Sequence, residues 1–520
     1  MACDLRQAFM YGYVCAARRS PNGNTPYSTA TAANARDSQN ATVPLIIGGK
    51  DVITKALFPK VGPIENKEIW QVAGSSPEDA NAAAAAAERA FPAWSATKPS
   101  KRRDVFLMAA DVMERRRAEL ADIIRQELGA NEHFQNFMLD VTIEGLRDTA
   151  GRIAGACTGT LPSSEHDGMR AMVQKRPYGV ILGIAPWNAP FHLGARSISF
   201  GLAAGNTAVF KGSELSPRCH WALADVFREA RLPDGCLNLV FHKPEDAVLV
   251  TKTLIAHPAI KHINFTGSTQ VGSAISVEAA KHLKPVLMEL GGKANAIVLK
   301  DADLENAAMQ CAMGAFLNAG QICMSTERIL VHEDLVESFL DILKSKIQTL
   351  FGSVDNTPIL VTEASAARNR ELVEDAISKG AEKVIWSSED GEHEAVPTHM
   401  RPVLLRGVDE TMKLYRGESF GPTVSLYAFS DEDAMIKMAN DTDYGLTCGI
   451  FTENLGTALR VADQIESGAV HINSMTVHDE FPLPHGGVKK SGFGRFNGYQ
   501  GMDEFTYTKS ITWMHQTRTT

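Results

Sequence analysis

The sequence predicts an α/β protein with two or three domains, at least two of them built on parallel sheets. Short, uninterrupted apolar runs, typical of strands buried on both faces, lie at Gly179–Ala185, Asn206–Phe210 and His262–Phe265. Helical patterns at Arg218–Ala230 and Pro244–His257 separate them, and this alternation indicates a parallel sheet with crossover helices. The 520-residue chain also exceeds the size at which one hydrophobic core keeps growing.

The N-terminal 43 residues differ in composition from the rest of the chain. They are rich in Ala, Ser, Thr and Asn, and carry four arginines but only Asp4 and Asp37 as acids. This composition could be that of an organellar transit peptide, but a disordered extension or a misplaced start codon is the preferred interpretation. We expect folded sequence to begin near Val43–Gly49.

Helices are predicted next, before the first buried strand. Ser76 followed by Pro-Glu-Asp is an N-cap signal that opens an Ala-rich helix at Ala82–Ala90. A long amphipathic segment covers Arg103–Leu128 and ends at a glycine, as helices often do. Within Thr158–Tyr178, the polar turn Glu165–Gly168 separates two segments that can pair as a hairpin.

Beyond the first sheet, strands and helices alternate again. The pattern resumes at Asn295–Leu299 and continues to about Asn473, which predicts a second α/β domain. We find no internal repeat.

Composition and charge exclude several classes of function. Apolar residues make up 44% and charged residues 22%, as in an ordinary globular protein, and the net charge of −9 leaves no electrostatic footprint for nucleic acid or an anionic membrane. The basic runs at 101–103 and 115–117 are predicted to be solvated helix faces. Eight scattered cysteines without a CxxC pair argue against a disulfide framework or a zinc site, and favour a reducing compartment.

A thiol and a carboxylate, each beside glycines, are the strongest signs of chemistry. Cys323 ends the segment Gly320-Gln321-Ile322-Cys323, and Glu289 begins Glu289-Leu290-Gly291-Gly292-Lys293. A thiol can add to a carbonyl and hold it covalently, and a carboxylate can activate the water that releases the product. Asn188 follows a predicted buried strand and offers an amide N–H that can stabilise an oxyanion.

Two further segments are candidates for nucleotide binding. Phe265–Gly272 follows a predicted strand and opens a helix, so its glycines and free N–H groups form a natural site for a pyrophosphate, although the spacing is not GxGxxG. Lys211 and Glu214 follow the strand that ends at Phe210, where open α/β sheets place their ligands. The alternatives are an ordinary strand-to-helix turn, a surface lysine and a helix-capping glutamate.

Together these residues resemble the aldehyde dehydrogenase superfamily, from about residue 44 to 515. The matching segments, in order, are Pro186-Trp187-Asn188, Gly205-Asn206-Thr207-Ala208-Val209-Phe210-Lys211, Phe265-Thr266-Gly267-Ser268, Glu289-Leu290-Gly291-Gly292-Lys293, Gly320-Gln321-Ile322-Cys323 and Glu418-Ser419-Phe420-Gly421-Pro422. The resemblance implies a Rossmann-like coenzyme domain (44–157 and 177–289), an α/β catalytic domain (290–499), and a small β oligomerisation arm (158–176 and 500–515). It also implies a homodimer or homotetramer.

The resemblance assigns a role to each site residue. Cys323 would be the nucleophile, Glu289 the base for the deacylating water, and Asn188 with the Cys323 backbone N–H the oxyanion hole. NAD, in preference to NADP, would be the cofactor, because Glu214 would repel a 2′-phosphate. The residues expected to bind it are Ile184, Trp187, Lys211, Glu214, Gly267, Ser268, Gly272, Leu290, Glu418 and Phe420. No metal is expected.

Two segments, 314–328 and 472–480, resemble the branch that contains salicylaldehyde, vanillin and benzaldehyde dehydrogenases. The implied substrate is therefore an aromatic aldehyde, oxidised to the acid through a thiohemiacetal and a thioester. Candidate pocket residues are Trp187, Phe191, Arg196, Met324 and the loop 476–481. Arg196 either contacts an ortho-hydroxyl group of the substrate or is a salt-bridged helix residue.

One position departs from the family pattern. Related enzymes usually read Pro-Phe-Gly-Gly where this chain has Pro484-His485-Gly486-Gly487, which leaves the substrate preference open.

The alternatives to an aromatic aldehyde dehydrogenase are a semialdehyde or aliphatic aldehyde dehydrogenase, a coenzyme A-acylating enzyme, and a catalytically silent member that acts as a structural protein. We expect a cytoplasmic protein without a membrane or nucleic-acid partner, or a mitochondrial one if the N-terminal extension is a transit peptide.

Overall fold

Two large, mostly parallel sheets carry most of the chain. The computed structural model describes residues 42–353, 357–385 and 396–514, which form one compact unit. The predicted N-terminal extension up to residue 41 and residue 515 of the predicted arm lie outside the described residues. The strands are β1 Thr42–Val43, β2 Leu45–Ile47, β3 Lys50–Val52, β4 Leu57–Gly62, β5 Lys67–Ala73, β6 Met169–Pro177, β7 Val180–Ile184, β8 Thr207–Lys211, β9 Leu237–Val240, β10 Ile260–Thr266, β11 Val286–Glu289, β12 Ala294–Val298, β13 Thr326–His332, β14 Glu382–Lys383, β15 Val403–Arg406, β16 Thr423–Phe429, β17 Tyr444–Gly445, β18 Thr447–Phe451, β19 Ala469–Ile472, β20 Val488–Lys489, β21 Gly492–Phe493 and β22 Thr506–Met514.

The first large sheet has eight strands in the order β21-β11-β10-β7-β8-β9-β2-β3. Strands β7 to β11 are parallel to one another, and nearly all of their residues are buried, as expected for strands covered on both faces. The chain passes from β7 through β8 to β9 on one side, then crosses to β10 and β11 on the other side of β7. The strand order therefore reverses at β7, which is where open α/β sheets bind ligands.

The second large sheet has seven strands in the order β14-β15-β16-β13-β12-β18-β19, antiparallel only between β14 and β15. Smaller sheets join β1-β5-β4, β17-β20 and β22-β6. The α/β fold class of the sequence analysis is confirmed. The division into coenzyme domain, catalytic domain and arm stays a prediction.

Helices cover the sheets and supply the connections between parallel strands. They are α1 Pro77–Ser95, α2 Pro99–Arg115, α3 Arg117–Leu128, α4 Glu132–Ala156, α5 Pro190–Ala204, α6 Pro217–Glu229, α7 Ala247–Ala256, α8 Thr269–Lys281, α9 Leu304–Phe316, α10 Val336–Phe351, α11 Glu363–Ser378, α12 Lys413–Arg416, α13 Glu432–Asn440, α14 Leu455–Ala462 and α15 Gly498–Asp503. No helix in the described ranges is both long enough and apolar enough to cross a membrane.

Local signals explain several boundaries. Ser76 caps α1 in a reciprocal capping box with Asp79, as its sequence predicts. The predicted long helix over 103–128 is instead two helices, because Arg116 leaves helical geometry between α2 and α3. Gly129 ends α3 with a left-handed conformation (φ 67°), which glycine adopts at little steric cost.

Two expectations need correction. Arg102, in a run expected to be solvated, is buried, and its guanidinium donates to the carbonyls of Ala203 and Thr97, so it fastens helix α2 to α5. The expected hairpin within 158–178 is limited to a single bridge between Thr160 and Val173. Strand β6 pairs along its whole length with β22 instead, because the C-terminal strand satisfies more of its backbone groups than the short local segment can.

Candidate active site

The carboxyl ends of four neighbouring parallel strands place the predicted site residues along one sheet edge. In spatial order these strands are β11, β10, β7 and β8. Glu289 ends β11, Ser268 follows β10, Asn188 follows β7, and Lys211 ends β8. The strand β7 in the middle is the point where the chain reverses direction across the sheet, so the residues on both sides of it border one crevice.

The segment that carries Cys323 is a strained turn. Asn318, Ala319 and Gly320 all adopt left-handed backbone conformations, with φ of 49°, 58° and 70°. Only glycine fits at 320, since a Cβ there would lie 2.1 Å from the carbonyl oxygen of Gly421. Strain of this kind persists only where surrounding contacts enforce it, and it is common at functional sites.

Gln321 holds the strained turn in place through hydrogen bonds of its side chain. Its amide nitrogen donates to the carbonyls of Asn318 (3.0 Å) and Ile359 (3.1 Å), and its amide oxygen accepts from the N–H of Val361 (2.9 Å). The side chain is buried, so these bonds are shielded from water. They fix the backbone two residues before the thiol.

Asn188 is bonded directly to this turn. Its side-chain nitrogen donates to the carbonyl of Gln321 at 2.9 Å, and Asn318 donates back to the Asn188 carbonyl at 3.1 Å. Gly292 packs against the other side, where a Cβ would lie 2.2 Å from the carbonyl oxygen of Cys323. Three segments distant in sequence therefore converge on the thiol.

The Cys323 thiol and the Glu289 carboxylate face each other in this region. Burial, followed by the charge and hydrogen bonding of Glu289, raises the pKa of the Cys323 thiol well above its usual value. Glu289 is buried, and neither of its oxygens has a hydrogen-bond partner of ordinary geometry among the described residues. A buried carboxylate without partners is costly, and such exceptions point to a role in catalysis or ligand binding.

Lys211 and Glu214 lie beyond β7 on the same edge. Lys211 is buried and Glu214 half-buried. Burial lowers the pKa of Lys211, and the charge of Glu214 opposes that shift. For Glu214, burial acts to raise the pKa, but the charge of Lys211 holds it below its usual value. The pair offers one cation and one carboxylate to a polar ligand.

The turn between β10 and α8 has the predicted form. Ser268 is the N-cap of α8, and its hydroxyl accepts from the N–H of Val271 at 3.4 Å. The remaining N–H groups of the first helical turn are free to bind an anion. Gly272 lets the helix approach Leu290 closely, since a Cβ there would lie 2.4 Å from the Leu290 side chain.

Glu418 and Phe420 reach the site from the second sheet. The Glu418 carboxylate accepts from the N–H of Gly292 at 3.0 Å, and burial raises its pKa to about 8 despite this bond. Phe420 has a left-handed backbone (φ 49°), and its ring packs edge-on against Trp187 with centroids 5.7 Å apart.

A buried ion pair that the sequence analysis did not identify holds this segment. Lys293 donates to Glu327 at 2.7 Å and to the carbonyl of Gly417 at 2.9 Å, while Glu327 accepts from the N–H groups of Ser419 (2.7 Å) and Phe420 (3.2 Å). Both charged residues are buried. Their positions inside recognised segments were visible in the sequence, but nothing local showed that they meet.

The candidate pocket residues belong to one apolar cluster. Phe191 and Met324 are buried within it, and Trp187 and Cys323 pack against it from the site side. The loop 476–481 is joined to it by Thr476, whose hydroxyl donates to the carbonyl of Met324 at 2.6 Å. The thiol therefore lies beside a largely apolar and aromatic surface.

Arg196 is a salt-bridged residue of a buried helix, the second of the two interpretations. Every residue of α5 is buried, and Arg196 pairs with Asp479 and contacts His192 at 2.7 Å. His192 was not among the predicted site residues, and Asp479 was predicted only as part of the pocket loop 476–481. A histidine and an arginine four residues apart lie on one face of a helix, and this spacing in an otherwise apolar segment was the available signal.

Comparisons with known proteins identify the family of this chain. Residues 52–511 match the model of the aldehyde dehydrogenase family. The chain is 42% identical to a vanillin dehydrogenase of Pseudomonas fluorescens over 477 residues (90% of this chain, 97% of the relative). It is 38% identical to a salicylaldehyde dehydrogenase of Pseudomonas putida over 461 residues (88% and 94%).

A solved structure is also similar. The crystal structure of a salicylaldehyde dehydrogenase from Pseudomonas putida G7, complexed with salicylaldehyde, superimposes with a TM-score of 0.87 at 36% identity, covering 91% of this chain and 98% of that one. The resemblance stated from the motifs is confirmed. The chain belongs to the aldehyde dehydrogenase family, and its similarity to vanillin and salicylaldehyde dehydrogenases extends over nearly its whole length.

Proposed function

We propose that this protein oxidises an aromatic aldehyde to the carboxylic acid with NAD, through a covalent intermediate on Cys323. The observation that carries the proposal is the Cys323 thiol beside Glu289, a buried carboxylate whose oxygens lack ordinary hydrogen-bond partners among the described residues. A nucleophile next to a base is the arrangement that acyl chemistry requires.

The chain's own groups account for the bond changes. Glu289 takes the thiol proton, and the sulfur of Cys323 attacks the aldehyde carbon to give a thiohemiacetal. The amide of Asn188 and the Cys323 backbone N–H stabilise the negative oxygen. When bound, NAD would supply the acceptor for the hydride that this carbon loses. Glu289 releases the thiol proton to solvent and is again a carboxylate, so it can take a proton from the water that attacks the thioester and releases the acid.

The residues at the sheet edge fit a dinucleotide. The α8 N-terminus with Gly267 and Ser268 suits a pyrophosphate, and Lys211 with Glu214 suits the adenosine ribose. The carboxylate of Glu214 would repel a 2′-phosphate, which is why we propose NAD rather than NADP. Ile184, Trp187, Gly272, Leu290, Glu418 and Phe420 complete the proposed cofactor contacts.

Two observations support an aromatic substrate. The thiol packs against the apolar cluster that contains Phe191 and Met324, and a planar ring buries well on such a surface. Two of the similar proteins are a vanillin dehydrogenase and a salicylaldehyde dehydrogenase, whose substrates are aromatic aldehydes. A semialdehyde would need a free cation in the pocket, and Arg196, the candidate, is already paired with Asp479.

We further propose a cytoplasmic homodimer or homotetramer. Strands β6 and β22 form a separate two-stranded sheet, and isolated sheets of this size are marginally stable. Large apolar side chains are exposed there, including Leu161 (78%) and Met514 (60%). A partner subunit would cover them.

The cytoplasmic location is supported by cysteine usage: the six cysteines that the structure describes are all free thiols.

The proposal is tested by following NADH absorbance with benzaldehyde, vanillin, salicylaldehyde and succinate semialdehyde. We expect the aromatic aldehydes to be oxidised with the higher kcat/KM. Cys323→Ser should abolish turnover, whereas Cys157→Ser, which removes a half-buried thiol elsewhere, should keep it. Turnover by Cys323→Ser would overturn the mechanism. A preference for the semialdehyde would overturn the substrate class, and a folded but inactive wild type would indicate a silent member.

A further inference from the structure

A chain of buried polar groups leads away from Glu289 into the protein. His485 lies next to it, with Nε2 3.8 Å from Oε1 of Glu289. On the far side of the ring, Nδ1 of His485 lies 3.8 Å from Oδ1 of Asp479. The imidazole therefore stands between two carboxylates, with one ring nitrogen directed at each.

We propose that His485, oriented by Asp479, is a positioning residue that takes the proton from Glu289 after the base has activated the deacylating water. This inference depends on the proposed function, because it assigns the next proton acceptor in that reaction. The inference also goes beyond the proposed function, which ends with the proton on Glu289.

The backbone of His485 is held in place. Its N–H donates to the carbonyl of Phe496 at 2.9 Å, and the N–H of Phe496 donates back at 2.8 Å. The side chain is 5% exposed, so the ring has little freedom to turn toward solvent. A fixed ring is what proton transfer between positioned groups requires.

Asp479 is bound so that it remains a carboxylate. Burial by itself would raise the pKa of Asp479, but the charge of Arg196, with smaller contributions from His485 and His192, holds it well below its usual value. Asn497 donates to Oδ1 at 2.7 Å, and a ring nitrogen of His192 lies 2.8 Å from Oδ2. A carboxylate facing Nδ1 favours the tautomer that leaves Nε2 free to accept a proton, as the aspartate does in other catalytic triads.

His485 and Glu289 must come closer together before a proton can pass between them. A gap of 3.8 Å is about 1 Å longer than a hydrogen bond, so no bond is formed in the resting arrangement. Within the described part of the chain, the Glu289 oxygens have no hydrogen-bond partner of ordinary geometry that would resist a rotation of the carboxylate toward His485. One water molecule between the two groups would serve equally.

The proton balance is complete. Water oxygen bonds to the thioester carbon, the carbon–sulfur bond breaks, and the sulfur leaves with its electron pair. One water proton passes to Glu289 and the other stays on the product acid. Glu289 then gives its proton to Nε2 of His485, which returns to neutral by releasing a proton from the ring to solvent.

Several charged groups would shape the pH dependence of this step. They are Glu289 from β11, Asp479 from the loop 476–481, His192 and Arg196 from α5, and His471 from β19. Arg196 and Asp479 cancel each other's charge as a pair. The other groups beside the reacting proton are therefore the histidines and Glu289 itself.

The test compares the first turnover with the steady state. His485→Phe should keep the initial burst of NADH, which reports hydride transfer, and lower steady-state kcat about tenfold or more, because only deacylation is slowed. His485→Gln should behave like His485→Phe, since its amide keeps polarity but cannot carry the proton. In His485→Ala, added imidazole should restore steady-state turnover. Mass spectrometry should find Cys323 acylated in each variant during turnover.

A matched control is His262→Phe, which replaces another buried histidine. His262 lies on β10, packs between Tyr178 and Phe505, and comes four residues before Thr266, the residue that pairs with Glu289. This variant should keep both phases. Equal burst-to-steady-state ratios in wild type and His485→Phe would overturn the proposal, as would loss of both phases without rescue by imidazole. A wild type that shows no burst and no acyl-Cys323 would instead refute the proposed function.

Discussion

Each side chain at the site gains its character from one or two neighbours. Cys323 and Glu289 are ordinary residues in the sequence. In the fold, burial, followed by the charge and hydrogen bonding of Glu289, raises the pKa of the Cys323 thiol, and a base lies beside the nucleophile. The sequence segments around them predicted both members. The same segments did not reveal that Arg196 pairs with Asp479 near the site. A salt bridge between residues 283 positions apart leaves no local pattern in the sequence.

Glu214 is the residue at which cofactor choice can be tested. Glu214→Gln removes a carboxylate that would face a 2′-phosphate, so we expect the ratio of kcat/KM for NAD over NADP to fall by about tenfold, or about 1.4 kcal/mol. Initial rates with both cofactors measure this ratio. Glu382→Gln, an exposed acid on β14 at the edge of the second large sheet, should leave it unchanged. If the NAD to NADP ratio of kcat/KM is unchanged in Glu214→Gln, residues other than Glu214 determine the cofactor preference.

At the scale of elements, local patterns located strands and helices better than their partners. Strand β7 lies within the apolar run Gly179–Ala185, and α6 covers the predicted helix at 218–230 within one residue at each end. The pairing of β6 with β22 joins segments more than 300 residues apart, so a nearby hairpin was the simpler prediction. Pairing over that distance is decided by the whole fold.

The exposed side of β22 is where subunit association can be tested. Trp513→Glu with Met514→Glu places two charges among exposed apolar side chains and should reduce the assembly to a smaller species, which light scattering after size exclusion would measure. Leu459→Glu changes an equally exposed leucine on α14 and should keep the wild-type mass. A monomeric wild type, or a double variant of unchanged mass, would refute association through this arm.

At the scale of the whole molecule, buried histidines predict acid sensitivity. Burial lowers the pKa of His262 to about 4 and that of His220 to about 3. Above pH 6.5 both rings are neutral whether the chain is folded or not. As the pH falls from 6.5 toward 4, only the unfolded chain binds protons at these positions, so the free energy of unfolding decreases.

His262→Phe isolates part of this effect. The phenylalanine keeps the aromatic packing against Tyr178 and Phe505 but cannot be protonated. We expect the melting temperature of the variant to fall less than that of wild type between pH 6.5 and about 4, as measured by scanning calorimetry or circular dichroism. His166→Phe, in an exposed turn, should follow the wild-type curve. Parallel curves for His262→Phe and wild type would contradict the prediction.

The sequence by itself determined the α/β class, three of the four strands that frame the crevice (β7, β8 and β10), and the segments that carry Cys323, Glu289 and Asn188, because apolar runs and short motifs are local properties. The tertiary structure alone decided that His485 stands between Glu289 and Asp479, that Arg196 is neutralised, and that β22 completes β6. These contacts join residues far apart along the chain. Their energies come from burial and charge pairing, which exist only once the sheets and helices have packed.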